Sequence, residues 1–146
     1  MGRSRGGFST KIHALVDTSG KPIHLQITPG QQHESTVAEA IIEEHARGKA
    51  FVADTGYDSN AIRRALRRKR MKAVICPNPT RAKKLRFDRK IYGNRYLVEV
   101  FFHHIKRFRA LATRFEKTAR NYLALLQLAA TMVWLRGVKL PEDQEL

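Results

Sequence analysis

The chain has 146 residues, one domain's worth and enough to bury a hydrophobic core. It carries 28 Lys and Arg against 13 Asp and Glu, a formal charge of +15, which points to a polyanionic partner. One cysteine, Cys76, excludes an internal disulfide or a cysteine-based zinc cluster and reads as a buried thiol in a reducing cytoplasm.

Met1–Gly7 has basic residues but no apolar run behind them, so no secretory leader is expected. Residues 1–8 read instead as a flexible basic arm. Thr10 to Val16 and Ile23 to Ile27 then read as two strands, the second alternating Ile23, Leu25 and Ile27 with His24 and Gln26. Asp17-Thr18-Ser19-Gly20 supplies the turn of a hairpin, and Pro29-Gly30 closes it. Thr36 to Glu39 fits a capping box, which predicts a helix from about residue 36 to His45 burying Val37, Ala40, Ile41 and Ala46.

Ala50 to Ala53 is a short apolar run suited to a buried strand, stopping at Asp54-Thr55-Gly56-Tyr57-Asp58. A helix is expected from about Ser59 to Arg70, with Ile62, Ala65 and Leu66 inward and arginines outward, followed by a strand over Ala73 to Cys76. Pro77-Asn78-Pro79 breaks the pattern. Residues 80–90 read as a basic loop that orders on nucleic acid.

Charge is unevenly distributed here. Residues 61–90 hold thirteen Lys or Arg and one acid, Asp88, whereas residues 34–44 hold four Glu and no Lys or Arg. Localised charge of this kind reads as a footprint for phosphates.

The stretch from Tyr92 to Lys106 organises the rest. Apolar residues at Val98, Phe101, Phe102, Ile105 and Phe108 fall within about 120° of one another at 100° per residue, predicting a helix from about Lys90 to Arg109. Tyr92, Arg95, Glu99 and Lys106 fall within about 60° on the other side by the same count. A single carboxylate in line with two cations and a phenol is unusual for a solvated face, although Glu99 could also make an ordinary pair with Arg95 or His103. A last helix is expected from about Ala119 to Arg136, then a polar tail over residues 137–146. The most apolar run, Tyr122 to Leu135, is too short to cross a bilayer, so no membrane association is expected.

Asp54 follows a short buried strand, and ligands of open α/β sheets gather outside the carboxyl ends of strands. Asp-x-Gly is equally ordinary turn chemistry. Two carboxylates from separate elements amid basic residues suit Mg²⁺ facing a phosphate, because this hard ion takes one or two carboxylates, waters and phosphate oxygens.

Tyr92, Arg95, Glu99 and Lys106 satisfy Y-x2-R-x3-E-x6-K, the signature around the last acidic residue in a large group of bacterial insertion-sequence transposases. Asp54, Gly56, Tyr57 and Asp58 match the Asp-x-Gly-Tyr-Asp of the same group at its second acid. Over nearly its whole length the chain therefore resembles a DDE transposase. The resemblance implies an α/β fold of ribonuclease-H-like type, a mixed sheet flanked by helices. It implies that Asp54 and Glu99 are catalytic and ligate Mg²⁺ or Mn²⁺, that Arg95 and Lys106 hold the DNA backbone, and that Tyr92 packs against sugar or base. The expected activity is metal-dependent DNA strand cleavage and strand transfer in transposition, a DNA recombination reaction. The expected partners are transposon ends and target DNA, with pairing of two ends suiting a homodimer, in the bacterial cytoplasm at the nucleoid.

Pro29 to Glu34 is similar to a family stretch ending in His-Asp. Glu34 stands for the Asp, and His33 is read as part of a helix start without a catalytic role.

One departure shapes the expectation. The family's first acid lies on its first strand, upstream of Gly2–Gly7, so this chain is expected to lack both that strand and its Asp. Asp17 does not substitute, because its strand runs antiparallel to the one ending at Asp54, which sets the two carboxylates about 17–20 Å apart for strands of usual length. The chain thus reads as the C-terminal part of a transposase catalytic domain, inactive alone. An upstream segment or frame completes it, or it is a decayed remnant. The competing reading is a non-enzymatic basic module that binds DNA or RNA.

Overall fold

The computed structural model describes residues 2–4, 7–83, 85–113 and 118–136, with side chains described from residue 10 onward. The polar tail expected over residues 137–146 lies outside them. Two compact units emerge, one formed by Met1–Gln31 with Tyr96–Leu146 and the other by Gln32–Arg95.

The first unit begins with strand β1, Gly2–Ser4, paired antiparallel with the start of β2, Gly7–Val16. Part of the expected flexible arm is therefore strand. β2 continues into β3, Pro22–Pro29, through the Asp17–Gly20 turn, with Thr10 opposite Pro29 and an irregularity between Leu15 and Val16. Asp17 Oδ1 closes that turn by accepting from the N–H groups of Ser19 and Lys21 at 2.8 and 2.9 Å. Gly20, at φ 75°, supplies a backbone conformation that L side chains rarely adopt.

Ile12, Ala14 and Val16 with Leu25 and Ile27 share one face of the hairpin, as period-2 alternation requires, and pack on the helical core. On the opposite face, buried His13 and Thr28 satisfy each other, Nε2 to Oγ1 at 2.9 Å. That core is built by α4, Tyr96–Lys106, α5, Arg109–Ala112, and α6, Ala119–Arg136. Phe101, Ile105, Leu111, Tyr122, Leu126, Ala129, Ala130 and Val133 fill it. Trp134 Nε1 donates to the carbonyl of Pro22 at 2.9 Å while Lys21 lies over its ring, which fixes the end of α6 to the hairpin.

The second unit opens with α1, Glu34–His45, two residues before the expected start. His33, not Thr36, is the N-cap, and its side chain accepts from Ser35 N–H. Val37, Ala38, Ile41, Ile42 and Ala46 are buried, while Ala40 is exposed. β4, Ala50–Ala53, pairs in parallel with β5, Lys72–Ile75, and α2, Asn60–Arg68, makes the crossover that a parallel pair needs. Ser59 caps α2 by accepting from Ile62 N–H at 3.1 Å.

One expectation is corrected here. The helix expected over Lys90–Arg109 is broken into α3, Arg89–Tyr92, a 3₁₀ turn at Gly93–Arg95, then α4, and α5 follows separately. Gly93 and Asn94 are poor helix formers, and the turn they permit ends the first segment. The described residues form a mixed α/β fold with two small sheets, β1-β2-β3 antiparallel and β4-β5 parallel. A single sheet needs a strand that pairs with members of both, and none of the described segments does so. Among the described residues, no helix is long and apolar enough to cross a membrane.

Candidate functional site

Asp54 stands where β4 gives way to a 3₁₀ turn over Thr55–Tyr57. Its residue is exposed, and Oδ1 accepts the N–H of Gly56 at 3.0 Å. The turn-cap reading and the ligand reading thus use different atoms. The cap occupies Oδ1, and Oδ2 makes no hydrogen bond among the described residues.

A second carboxylate joins it. A Cβ built on Gly56 would meet Glu34 Oε2 at 2.5 Å and Asp54 Oδ1 at 3.2 Å, so both carboxylates close on the space a side chain would fill. Glycine at position 56 is what lets them approach. Burial of Tyr57, then the negative charges of Glu34 and Asp54, push its phenol up to about 12, so it stays protonated at neutral pH. The sequence reading assigns Glu34 only to a helix start. The signal available is its alignment with the Asp of the family's His-Asp stretch.

Asp58 is the most strongly held acid. Its side chain has 0% exposure and receives Arg63 Nε at 2.8 Å, Arg81 Nε at 2.9 Å and the Asn78 N–H at 2.8 Å. Burial alone would raise its carboxyl, but the hydrogen bonds from Arg81, Asn78 and Arg63 outweigh it and hold the group down at about 2. Arg63 also reaches the Ile75 carbonyl and Arg81 the Asn60 side chain, so one carboxylate ties the turn after β4 to α2, β5 and the loop after it. The sequence motif includes Asp58 and assigns it no role.

The remaining predicted residues divide between the units. Tyr92 ends α3, half-buried, its ring edge-on to Phe87 at 5.0 Å, and Arg95 ends the 3₁₀ turn, also half-buried. Both belong with Asp54 to the second unit. Because that turn interrupts the helix, the 100° count from α4 does not carry back to them.

Glu99 and Lys106 belong to α4 in the first unit. Both are exposed, seven residues and so about two turns apart, opposite the buried row of Leu97, Phe101 and Ile105. Lys106 has no ion-pair partner among the described residues. Among those residues, no group of three or more His, Cys, Asp or Glu gathers as a metal-holding cluster.

The sequence model of the transposase DDE domain matches residues 2–134, and the chain belongs to that family. A Brucella ovis relative named as a transposase for insertion sequence element IS6501 is 34% identical over 131 residues, 88% of this chain and 100% of the relative. The transposase for IS1106 of Neisseria meningitidis serogroup B is 28% identical over 120 residues, covering 82% of this chain and 41% of its own length. A Burkholderia cepacia relative, named for IS402, is 28% identical over 142 residues, covering 90% of this chain and 64% of its own. No solved structure matches the chain significantly.

Proposed function

We propose that this chain carries the second and third acidic residues, Asp54 and Glu99, of a centre for metal-dependent DNA strand cleavage and strand transfer in insertion-sequence transposition. The observation that carries the reading is the joint match of Asp54-x-Gly56-Tyr57-Asp58 and Tyr92-x2-Arg95-x3-Glu99-x6-Lys106 within a chain of the DDE family. Their settings support it. Asp54 is exposed at the carboxyl end of β4 with one oxygen uncommitted, and Glu99 is exposed in the first turn of α4.

DDE domains generally use a divalent metal, and the donors here are hard carboxylate oxygens of the kind Mg²⁺ or Mn²⁺ takes. The Asp54 carboxylate, with Oδ2 uncommitted, and Glu34, whose Oε2 closes on Gly56 beside it, are donors of the kind such an ion takes. In this reading Asp54 and Glu99 hold the metal, with Glu34 beside Asp54. When bound, it supplies Lewis-acid activation of the attacking and leaving oxygens of an in-line displacement.

The protein's own groups do the positioning. Arg95 and Lys106 bind the phosphate backbone, Tyr92 packs against sugar or base, and Asp58 locks the turn that presents Asp54. A ribonuclease-H-like arrangement, a third carboxylate contributed by polypeptide encoded upstream, and a dimer that pairs two DNA ends complete the proposal. The 146 residues alone then bind DNA without cutting it.

The test compares the chain alone with the chain joined to its upstream segment, on labelled element-end DNA with Mg²⁺. Glu99→Gln in the joined form should keep DNA binding and lose cleavage by more than about 100-fold, beyond what loss of a merely supporting group costs. Cleavage by Glu99→Gln at the wild-type rate would reject the assignment. Cleavage by the isolated chain equal to that of the joined form would reject the need for a further acid.

A further inference from the structure

The exposed side of α2 is a row of cations whose flanks the fold neutralises and whose crest it does not. At 100° per residue Asn60, Arg64 and Arg67 lie within about 60° of one another, opposite buried Ile62, Ala65 and Leu66. On one flank Arg63 is spent on Asp58 at 2.8 Å and on the Ile75 carbonyl at 3.2 Å. On the other, Arg68 is paired with Glu43 and lies 3.6 Å from Glu39. Lys69 is likewise committed, its Nζ donating at 2.7 Å to the carbonyls of Ile42 and Glu43 at the end of α1.

Arg64 and Arg67 are exposed, with no hydrogen-bond or ion-pair partner among the described residues. The helix itself offers them none, since Asn60–Arg68 contains no Asp or Glu. Like charges instead stand four apart, Arg63 with Arg67 and Arg64 with Arg68, an arrangement that costs an isolated helix a few tenths of a kcal/mol per pair. A merely solvated face is served by carboxylates at those positions. This one leaves its positive charge for something outside the chain.

We infer that Arg64 and Arg67 form a track for the sugar-phosphate backbone of duplex DNA, separate from the residues at the cleavage centre. The partner's identity rests on the transposase reading above. The chemistry is that of a guanidinium, whose planar fork matches phosphate oxygens bidentately. Backbone contacts of this kind position the duplex and carry no sequence information. The anchoring of α2 through Ser59, Asp58 and Arg81 means the track starts from a helix rigidly joined to the Asp54 turn. DNA held along it is thereby set in a fixed relation to Asp54.

The test is the salt dependence of binding by the full 146-residue chain to a labelled duplex of arbitrary sequence, followed by fluorescence anisotropy across a KCl series. The slope of log K against log salt should shrink by about 1.8 in Arg64→Gln/Arg67→Gln, at about 0.9 for each phosphate no longer neutralised. Each single replacement should shrink it by about 0.9. Arg64→Lys/Arg67→Lys should keep the slope, and removal of a paired set by Arg68→Gln/Glu43→Gln should leave it unchanged. An unchanged slope in the Gln double variant, or an equal fall in the Arg68/Glu43 variant, would overturn the track while leaving the cleavage assignment standing. Failure of the wild-type chain to bind duplex DNA in a salt-dependent way would overturn both.

Discussion

Asp54 and Asp58 lie four residues apart in one short motif and have opposite surroundings. Asp54 is exposed and keeps one oxygen uncommitted, whereas the Asp58 side chain has 0% exposure and is shared by two guanidinium groups and a backbone N–H. A carboxylate so enclosed stabilises the fold only while ionised. Held at about 2 when folded and at about 3.9 when unfolded, it contributes its full stabilisation above the unfolded value. That contribution, on the order of 2 kcal/mol, is lost as pH falls through the folded value. Asp58→Asn leaves two arginines around a neutral amide, and removing one partner of a buried ionic network typically costs about 3 kcal/mol or more. We predict a loss of that size for Asp58→Asn in urea denaturation near neutral pH, and a weaker loss of stability than the wild type shows between about pH 4 and pH 2. Equal stability of the two proteins at neutral pH would show that the network does not hold the Asp54 turn in place.

At the scale of elements, what could be read in advance depended on whether the signal was local. β4 and α6 coincide with the sequence reading at Ala50–Ala53 and Ala119–Arg136, because an apolar run bounded by turn residues and a long periodic stretch each specify themselves. The Asp17–Gly20 turn was legible for the same reason. The break before α4 was not, since the periodic apolar residues run only from Val98 to Phe108 and leave the helix start to the backbone preferences of Gly93 and Asn94. For the candidate site, the motif spacings pointed to Asp54 and Glu99, but the approach of Glu34 to Gly56 joins residues far apart in sequence and carries no local pattern. The same holds for Asp58 and Arg81, joined across 23 positions.

α4 presents Glu99 because its other face is anchored, and Phe101 is the anchor, fully buried against α6 and the hairpin. Phe101→Ala should cost about 3–5 kcal/mol by urea denaturation. A cost below about 1 kcal/mol, the scale of a well-tolerated core substitution, would mean that α4 is held by something other than this core.

For the whole molecule, the two units and two sheets place the proposed acids in different parts of the chain, Asp54 in Gln32–Arg95 and Glu99 in the part beginning at Tyr96. The positive charge of +15 is here given a division of labour. Arg63, Arg68, Lys69, Lys72 and Arg81 bind carboxylates or carbonyls of the protein itself, and Arg64 and Arg67 face outward.

The central claim is that Asp54 and Glu99 serve one metal, and it is tested most directly by cutting the polypeptide from the metal site. Fe²⁺ substituted for Mg²⁺, with ascorbate and peroxide, cleaves backbone close to where it is bound. In the chain joined to its upstream segment, the account predicts cuts near residue 54 and near residue 99 together, both suppressed by excess Mg²⁺. Both should also be weakened by either Asp54→Asn or Glu99→Gln. Cuts near only one of the two positions, or cuts near residue 99 that persist at full strength in Asp54→Asn, would contradict it.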